Sequence, residues 1–214
     1  MTEFTQLKTL FDISEPCGID TTELQPWKDK FGAIPKVLTD YYAQLGAHEF
    51  NRSQDYLISP DEINEFEDND YLIFYSENQS VSIWGIHKDD VSKDNPPVYE
   101  NYGKEEWYQT TDTLTSFLNS MGFLQAVFSM EFSNEEYWNI SQVQADEIAK
   151  AFKSKNVDSE LYTGVRFYGN YDDSVIVIMN NNEGYILMFS SSDEEHFDEM
   201  CDIIENIVSK EDEE

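Results

Sequence analysis

Two blocks of strand-like sequence, each built on short links and each set between helical stretches, limit what this 214-residue chain can fold into. In the first, Tyr71–Tyr75 and Val81–Ile86 are rich in aromatic and β-branched residues and are joined only through Ser76 to Ser80; an extended piece follows at Pro97 to Tyr99. That spacing predicts an antiparallel meander. In the second, Leu161–Tyr168, Ser174–Met179 and Tyr185–Phe189 read as three strands, the last two turning through Asn180 to Gly184. Those two are nearly all apolar, which predicts burial on both faces. Strands grouped between helices, rather than alternating with them, predict an α+β fold with an antiparallel or mixed sheet flanked by helices.

The helical stretches carry their own punctuation. Phe4, Leu7 and Phe11 share one face near the start, and Leu24, Trp27 and Phe31 share another around Pro26. Ile34, Val37, Leu38, Tyr41, Tyr42 and Leu45 recur at helical offsets, with Pro35 in a first turn and Gly46 at a C-terminal cap. A further helix is expected to start near Thr111, with Leu114, Phe117, Leu118 and Met121 on one face; Gly122 either ends it or weakens it. Ser141 with Gln144 and Ser192 with Glu195 have the spacing of capping boxes. The first precedes a helix burying Ala145, Ile148 and Phe152, the second one burying Phe197, Met200, Cys201, Ile204, Ile207 and Val208 and fraying at Glu211 to Glu214. No internal repeat is visible, and the best seam is the connector from Asn134 to Gln142. The expected organisation is one domain over residues 1–130 and a helix–three-strand–helix extension over 131–214, packed on the same core.

Charge narrows the function. Against 44 Asp and Glu stand 13 Lys and Arg, a net of −31, and the only arginines are Arg52 and Arg166. A phosphate backbone is bound by clustered cations that release its counterions, so a generic nucleic-acid binder is excluded and an anionic membrane surface disfavoured. With 40% hydrophobic and 14% aromatic residues the chain is too apolar for a disordered acidic tail. The start lacks a basic, then apolar, secretory signal, and Cys17 and Cys201 form no framework, which together predict a cytoplasmic protein. Solubility needs a net charge of only about 2 to 8 for a small domain, and excess charge is self-repelling. A basic partner or an acidic proteome would each account for the excess.

Catalytic signatures do not emerge. No GxSxG elbow, HExxH pattern or glycine-rich phosphate cradle occurs, His48, His87 and His196 are scattered, and Glu67-Asp-Asn-Asp70 lacks the spacing of a calcium loop. The reading is therefore no metal, no cofactor and no catalytic residue. Between Asp61 and Glu106, by contrast, thirteen carboxylates meet three lysines, a local net of −10, beside large aromatic residues. A charged rim around aromatic anchors is the make-up of a protein interface. The partner-binding candidates are Asp61, Glu62, Glu65, Glu67, Asp68, Asp70, Asp89, Asp90, Asp94, Tyr99, Tyr102 and Trp107. A solvated acidic loop is the competing reading of the same residues.

The order Ile34-Pro35, Tyr41-Tyr42, Leu45-Gly46, Leu57, Pro60, Ile63, Tyr71 to Tyr75, Glu77-Asn78-Gln79, Trp84-Gly85-Ile86, Pro96-Pro97-Val98, Trp107 and Phe117-Leu118 resembles the SUKH superfamily. The resemblance spans about Pro26 to Leu124, and the stretch from Ser129 onward carries no motif of that family. It implies an α+β domain and, chiefly, a bacterial immunity protein that neutralises a polymorphic toxin, often a nuclease or deaminase; eukaryotic members regulate cell-wall synthesis. Pro35, Gly46, Trp84, Gly85, Pro96 and Pro97 stand where the family has fold determinants. The family shares no catalytic residues. The leading expectation is thus a non-enzymatic immunity protein that binds a basic toxin through an acidic, aromatic-rimmed surface. The alternatives are a regulatory scaffold for another basic cellular protein and, third, an acidic hydrolase, which would require a deep pocket holding paired carboxylates.

Overall fold

The computed structural model describes residues 4–103, 106–134, 136–155, 157, 161, 164–182 and 184–209. Glu105, the tail from Glu211 to Glu214 and parts of the segments at 161–168 and 180–184 lie outside the described residues. The fold is α+β, with two antiparallel sheets flanked by helices. Among the described residues the helices are α1 (Thr5–Leu10), α2 (Gln25–Phe31), α3 (Lys36–Leu45), α4 (Leu114–Ser129), α5 (Gln142–Ala151) and α6 (Glu194–Val208). The chain divides into two compact units, Met1–Phe4 with Ser14–Asn119, and Thr5–Ile13 with Ser120–Glu214. The division falls inside α4 and not in the connector from Asn134 to Gln142, because that helix keeps its pattern while its two halves serve different sheets.

The first unit holds β1 (Tyr56–Leu57), β2 (Tyr71–Ser76), β3 (Ser82–His87), β4 (Val98–Tyr102) and β5 (Tyr108–Thr111), paired in that order as an antiparallel meander. The outer strands β1 and β5 are too short for a period-2 pattern to reveal. In β2 the register shifts between Ile73 and Tyr75, so one extra residue is accommodated and Leu72, Phe74 and Tyr75 are all buried. Their rings and that of Trp84 collect around Phe117 of α4, whose centroid lies 5.3, 5.6 and 5.7 Å from Phe74, Tyr75 and Trp84.

Helix α3 buries Val37, Leu38, Tyr41, Tyr42 and Leu45. The Tyr41 hydroxyl donates to Asn51 Oδ1 at 2.7 Å, and Asn51 Nδ2 donates to the Leu45 carbonyl at 2.6 Å. Pro35 sits one residue before the helix, at the N-cap, where its carbonyl accepts from Thr39 N at 3.1 Å. Gly46 is the C-cap but has a right-handed backbone (φ −59°). It is glycine for space: a Cβ there would lie 2.6 Å from the Tyr42 carbonyl oxygen.

In the second unit β6 (Phe132–Ser133) and β7 (Trp138–Ile140) both pair with β10 (Gly184–Ser191), which pairs in turn with β9 (Ser174–Asn181) and β9 with β8 (Arg166–Tyr168). Ile176, Ile178, Leu187 and Phe189 pack with Ala145 and Ile148 of α5 and Met200, Ile204 and Ile207 of α6. On the opposite face Val175 and Val177 are also buried, and Phe167 meets Phe123 of α4 at 6.1 Å. Burial on both faces therefore holds for the middle of β9, while Asn180 and Asn181 reach solvent. Gly122 does not end α4; a Cβ on it would stand 2.5 Å from Leu7 Cδ2, so α1 rests against the glycine. Cys17 and Cys201 are free thiols, and burial pushes the Cys201 thiol up to about 11.

The Ser141–Gln144 capping box is formed, with Gln144 N donating to Ser141 Oγ at 3.2 Å and Ser141 N to Gln144 Oε1 at 2.9 Å. At α6 the expected Ser192–Glu195 box is displaced by one residue. Asp193 caps instead, accepting from His196 N at 3.0 Å, because a carboxylate also meets the positive end of the helix. The His196 ring stacks on Tyr171 at 3.6 Å, and its Nδ1 lies 2.8 and 3.0 Å from the two Asp173 oxygens. Asp173, Asp193 and His196 thus bring three potential ligand atoms within 4.8 Å of one another. Each of these groups is already engaged in tying the loop before β9 to the start of α6.

That tie titrates. The hydrogen bond to Asp173 raises the proton affinity of His196 above its ordinary value. The imidazole therefore stabilises the fold below its unfolded pKa of about 6.5, and the contribution is lost as pH rises through the higher folded value. His196→Gln should accordingly lower the thermal midpoint most at about pH 5.5, with the gap to the parent narrowing towards about pH 9. A gap that stayed constant across that range would show that charge at His196 contributes nothing.

Candidate functional site

The face of the first sheet opposite Trp84 carries a set of aromatic rings. Pairing of Tyr71 with His87, and of Gly85 with both Ile73 and Tyr99, places these side chains on that face by strand alternation. The indole of Trp107, just before β5, rests over Gly85: a Cβ there would meet it at 3.2 Å. It stacks on Tyr71 at 4.0 Å with the planes 12° apart, and Tyr71 turns its edge toward Tyr99 at 5.7 Å and His87 at 5.0 Å. All four rings are half-buried. Glycine at position 85 lets the indole come this close, since a Cβ there would oblige the ring to shift by a few tenths of an ångström.

Carboxylates lie at one end of it. Asp68 and Asp70 lead into β2 and Asp89 and Asp90 follow β3, so the Tyr71–His87 pair brings these two turns together. Asp68 Oδ1 accepts from Asp70 N at 2.7 Å and Tyr71 N at 2.9 Å, which fixes the start of the strand. Asp70 is ion-paired with Lys88, whose hydrogen bond holds that carboxyl below its ordinary range, and Asp90 pairs with Lys93 at 2.6 Å. Asp89 approaches His87 Nδ1 at 3.6 Å. Glu67 reaches a crevice of about 30 Å³ beside Tyr71, shared with Trp27, Lys30, Ile63 and Phe66. That volume holds about one water molecule and no small-molecule ligand.

The other candidates are placed elsewhere. Glu62 is ion-paired with Arg52 and also accepts from Ser59 N at 3.1 Å, while Asp61 is held low by the Ser59 hydroxyl. Glu65 is exposed on the single 3-10 turn Ile63–Glu65, and Asp94 is exposed with its carbonyl accepting from Val37 N at 3.0 Å. Tyr102 belongs to the opposite face of the sheet, two residues along β4 from Glu100. Among the described residues no lysine or arginine forms an ion pair with Asp61, Glu65, Glu67, Asp68, Asp89 or Asp94. The acidic stretch is thus partly neutralised by its own lysines and partly open to a foreign cation.

Sequence reasoning missed Tyr71 and His87 as members of the platform, although their alternation with inward-facing Leu72 and Ile86 was available. It also passed over α6, whose exposed face carries Glu194, Glu195, Asp198, Glu199, Asp202 and Glu205 with no lysine or arginine on the helix. The second unit has a wider hollow of about 550 Å³ lined by Val127, Phe128, Asn134, Tyr137 and Met188, with Glu136 as its carboxylate. No family model, curated protein or solved structure matches the chain. Among the described residues no helix is long and apolar enough to cross a membrane.

Proposed function

We propose that this protein is a non-catalytic immunity protein that acts in the cytoplasm, capturing a basic protein toxin on the platform face of its first sheet. The observation that carries the reading is Trp107 stacked on Tyr71 and resting over Gly85, beside Glu67, Asp68 and Asp89, which among the described residues form no ion pair with a lysine or arginine. Rigid aromatic anchors supply affinity at the centre of an interface, and the charged rim supplies speed and choice of partner. The resemblance of residues 26–124 to the SUKH superfamily supports a toxin as that partner.

The test is co-expression with the protein encoded by the neighbouring gene, scoring rescue of growth and co-purification, followed by binding kinetics. Neutralising the open rim with Glu67→Gln and Asp89→Asn together should slow association several-fold at low ionic strength and flatten its salt dependence. Trp107→Ala should instead speed dissociation. Association that is equally fast in the neutralised variant at every salt concentration would take the rim out of the reading.

A further inference from the structure

On the Trp84 face of the first sheet, Glu100 is a carboxylate almost withdrawn from water, with 6% of its surface exposed. Burying a charge without a counter-charge is costly. Among the described residues no lysine or arginine forms an ion pair with Glu100. Hydroxyls hold it instead: Ser82 Oγ donates to Oε1 at 2.7 Å, Thr110 Oγ1 to Oε2 at 3.3 Å, and the Tyr108 hydroxyl also donates to the carboxylate. The strand register explains the gathering, since Glu100 stands opposite both Trp84 and Tyr108, and Ser82 opposite Tyr102. Tyr102 and Tyr108 are 57% and 50% exposed, and both belong to the same face as Glu100. A buried anion therefore lies behind two open aromatic rings at the rim of the sheet.

We propose that Glu100 is the seat of an arginine side chain of the protein's partner, entering between the rings of Tyr102 and Tyr108. The inference rests on the binding function proposed above and names what that partner must present where it reaches from the platform round the outermost strand β5, at which Tyr108, next to Trp107, turns to this opposite face. A guanidinium is planar, donates to a carboxylate through a fork of N–H groups, stacks on tyrosine faces and sheds water more readily than an ammonium. A carboxylate offers about four acceptor positions, of which the three hydroxyls use three. Ser82 and Thr110 are buried and stay. Tyr108 is half-exposed on the outermost strand, so its hydroxyl is the cover that yields to the incoming N–H groups.

The experiment titrates the full isotope-labelled chain with N-acetyl-arginine methylamide and, separately, with its lysine counterpart, following the Tyr102 and Tyr108 ring signals and the Ser82 and Thr110 amides. The arginine probe should give saturable shifts at those positions, several-fold weaker with lysine. Glu100→Gln should weaken them about tenfold or more, as expected when one member of a charged pair becomes neutral. Tyr108→Phe keeps the ring and removes the cover, and should tighten the probe several-fold; a carboxylate serving only the fold would gain nothing from that change. Shifts absent from the parent, equal in Glu100→Gln, or unaltered in Tyr108→Phe would each overturn the proposal. Such a failure leaves capture by the platform standing, whereas probe binding without capture of any basic protein would overturn the toxin reading alone.

Discussion

Phe117→Ala is expected to destabilise the first unit by about 3–5 kcal/mol, the usual loss when a fully buried phenylalanine is emptied to a methyl group. Phe117 has no exposed surface, and it is the ring around which Phe74, Tyr75 and Trp84 are arranged at 5.3 to 5.7 Å. Truncation removes its own transfer free energy and also the edge-to-face contacts with Phe74 and Tyr75 and the tilted one with Trp84. Because β2 is bulged to bring both Phe74 and Tyr75 inward, its backbone is poorly placed to collapse into the space. Denaturant unfolding followed by tryptophan fluorescence reads this out. Phe117→Leu should lose less than half as much, since it leaves most of the volume filled. A loss below about 1 kcal/mol for the alanine variant would mean that the sheet relaxes to fill the hole, contrary to the packing described.

How much of this was legible in the residues depends on the range of the signal. Helix α3 could be read because apolar residues at helical spacing run uninterrupted between Pro35 and Gly46, and the Ser141–Gln144 box because its partners are three residues apart. The α6 cap slipped by one residue, since Ser192 and Asp193 are both good caps and only the fold shows that the Ser192 amide is taken by the Asp173 carbonyl. Strands β1 and β5 have two and four residues, and no periodic pattern survives in so few. At the site, Tyr99 and Trp107 could be singled out by residue type. Their stacking partner Tyr71 and the separation of Tyr102 onto the other face depend on register, which is a property of paired strands and not of either strand alone. Glu100 read as one more acid in an acidic stretch; its burial becomes visible only when Ser82, Thr110 and Tyr108 are brought around it from two neighbouring strands.

Gly18→Ala is expected to cost about 3 kcal/mol, although position 18 lies in a connecting loop and carries no left-handed backbone that would demand glycine. The argument is one of contact. The last carbonyls of a helix lack a partner in its next turn, and two of those in α3 accept from the passing chain: Cys17 N donates to the Gln44 carbonyl at 2.8 Å and Ile19 N to the Tyr42 carbonyl at 3.0 Å, while Ala47 N, just past the helix, donates back to the Cys17 carbonyl at 3.0 Å. With its neighbours so tied on both sides, Gly18 is pressed onto the helix end. A Cβ there would lie 1.9 Å from the Ala43 carbonyl oxygen and 2.2 Å from its carbon, both backbone atoms that no rotamer change can move aside. An alanine must lift the segment away and give up several of these hydrogen bonds, each worth about 1 kcal/mol net. Gly32 is the internal control, since its φ of +81° strains any side chain but nothing stands within 4 Å of its Cβ position. Gly32→Ala should therefore cost only about 1 kcal/mol. Hydrogen exchange at Cys17 and Ile19 should accelerate in the first variant and not in the second. If the two alanine variants unfold at the same denaturant concentration, the segment does not clasp the end of α3 as its hydrogen bonds imply.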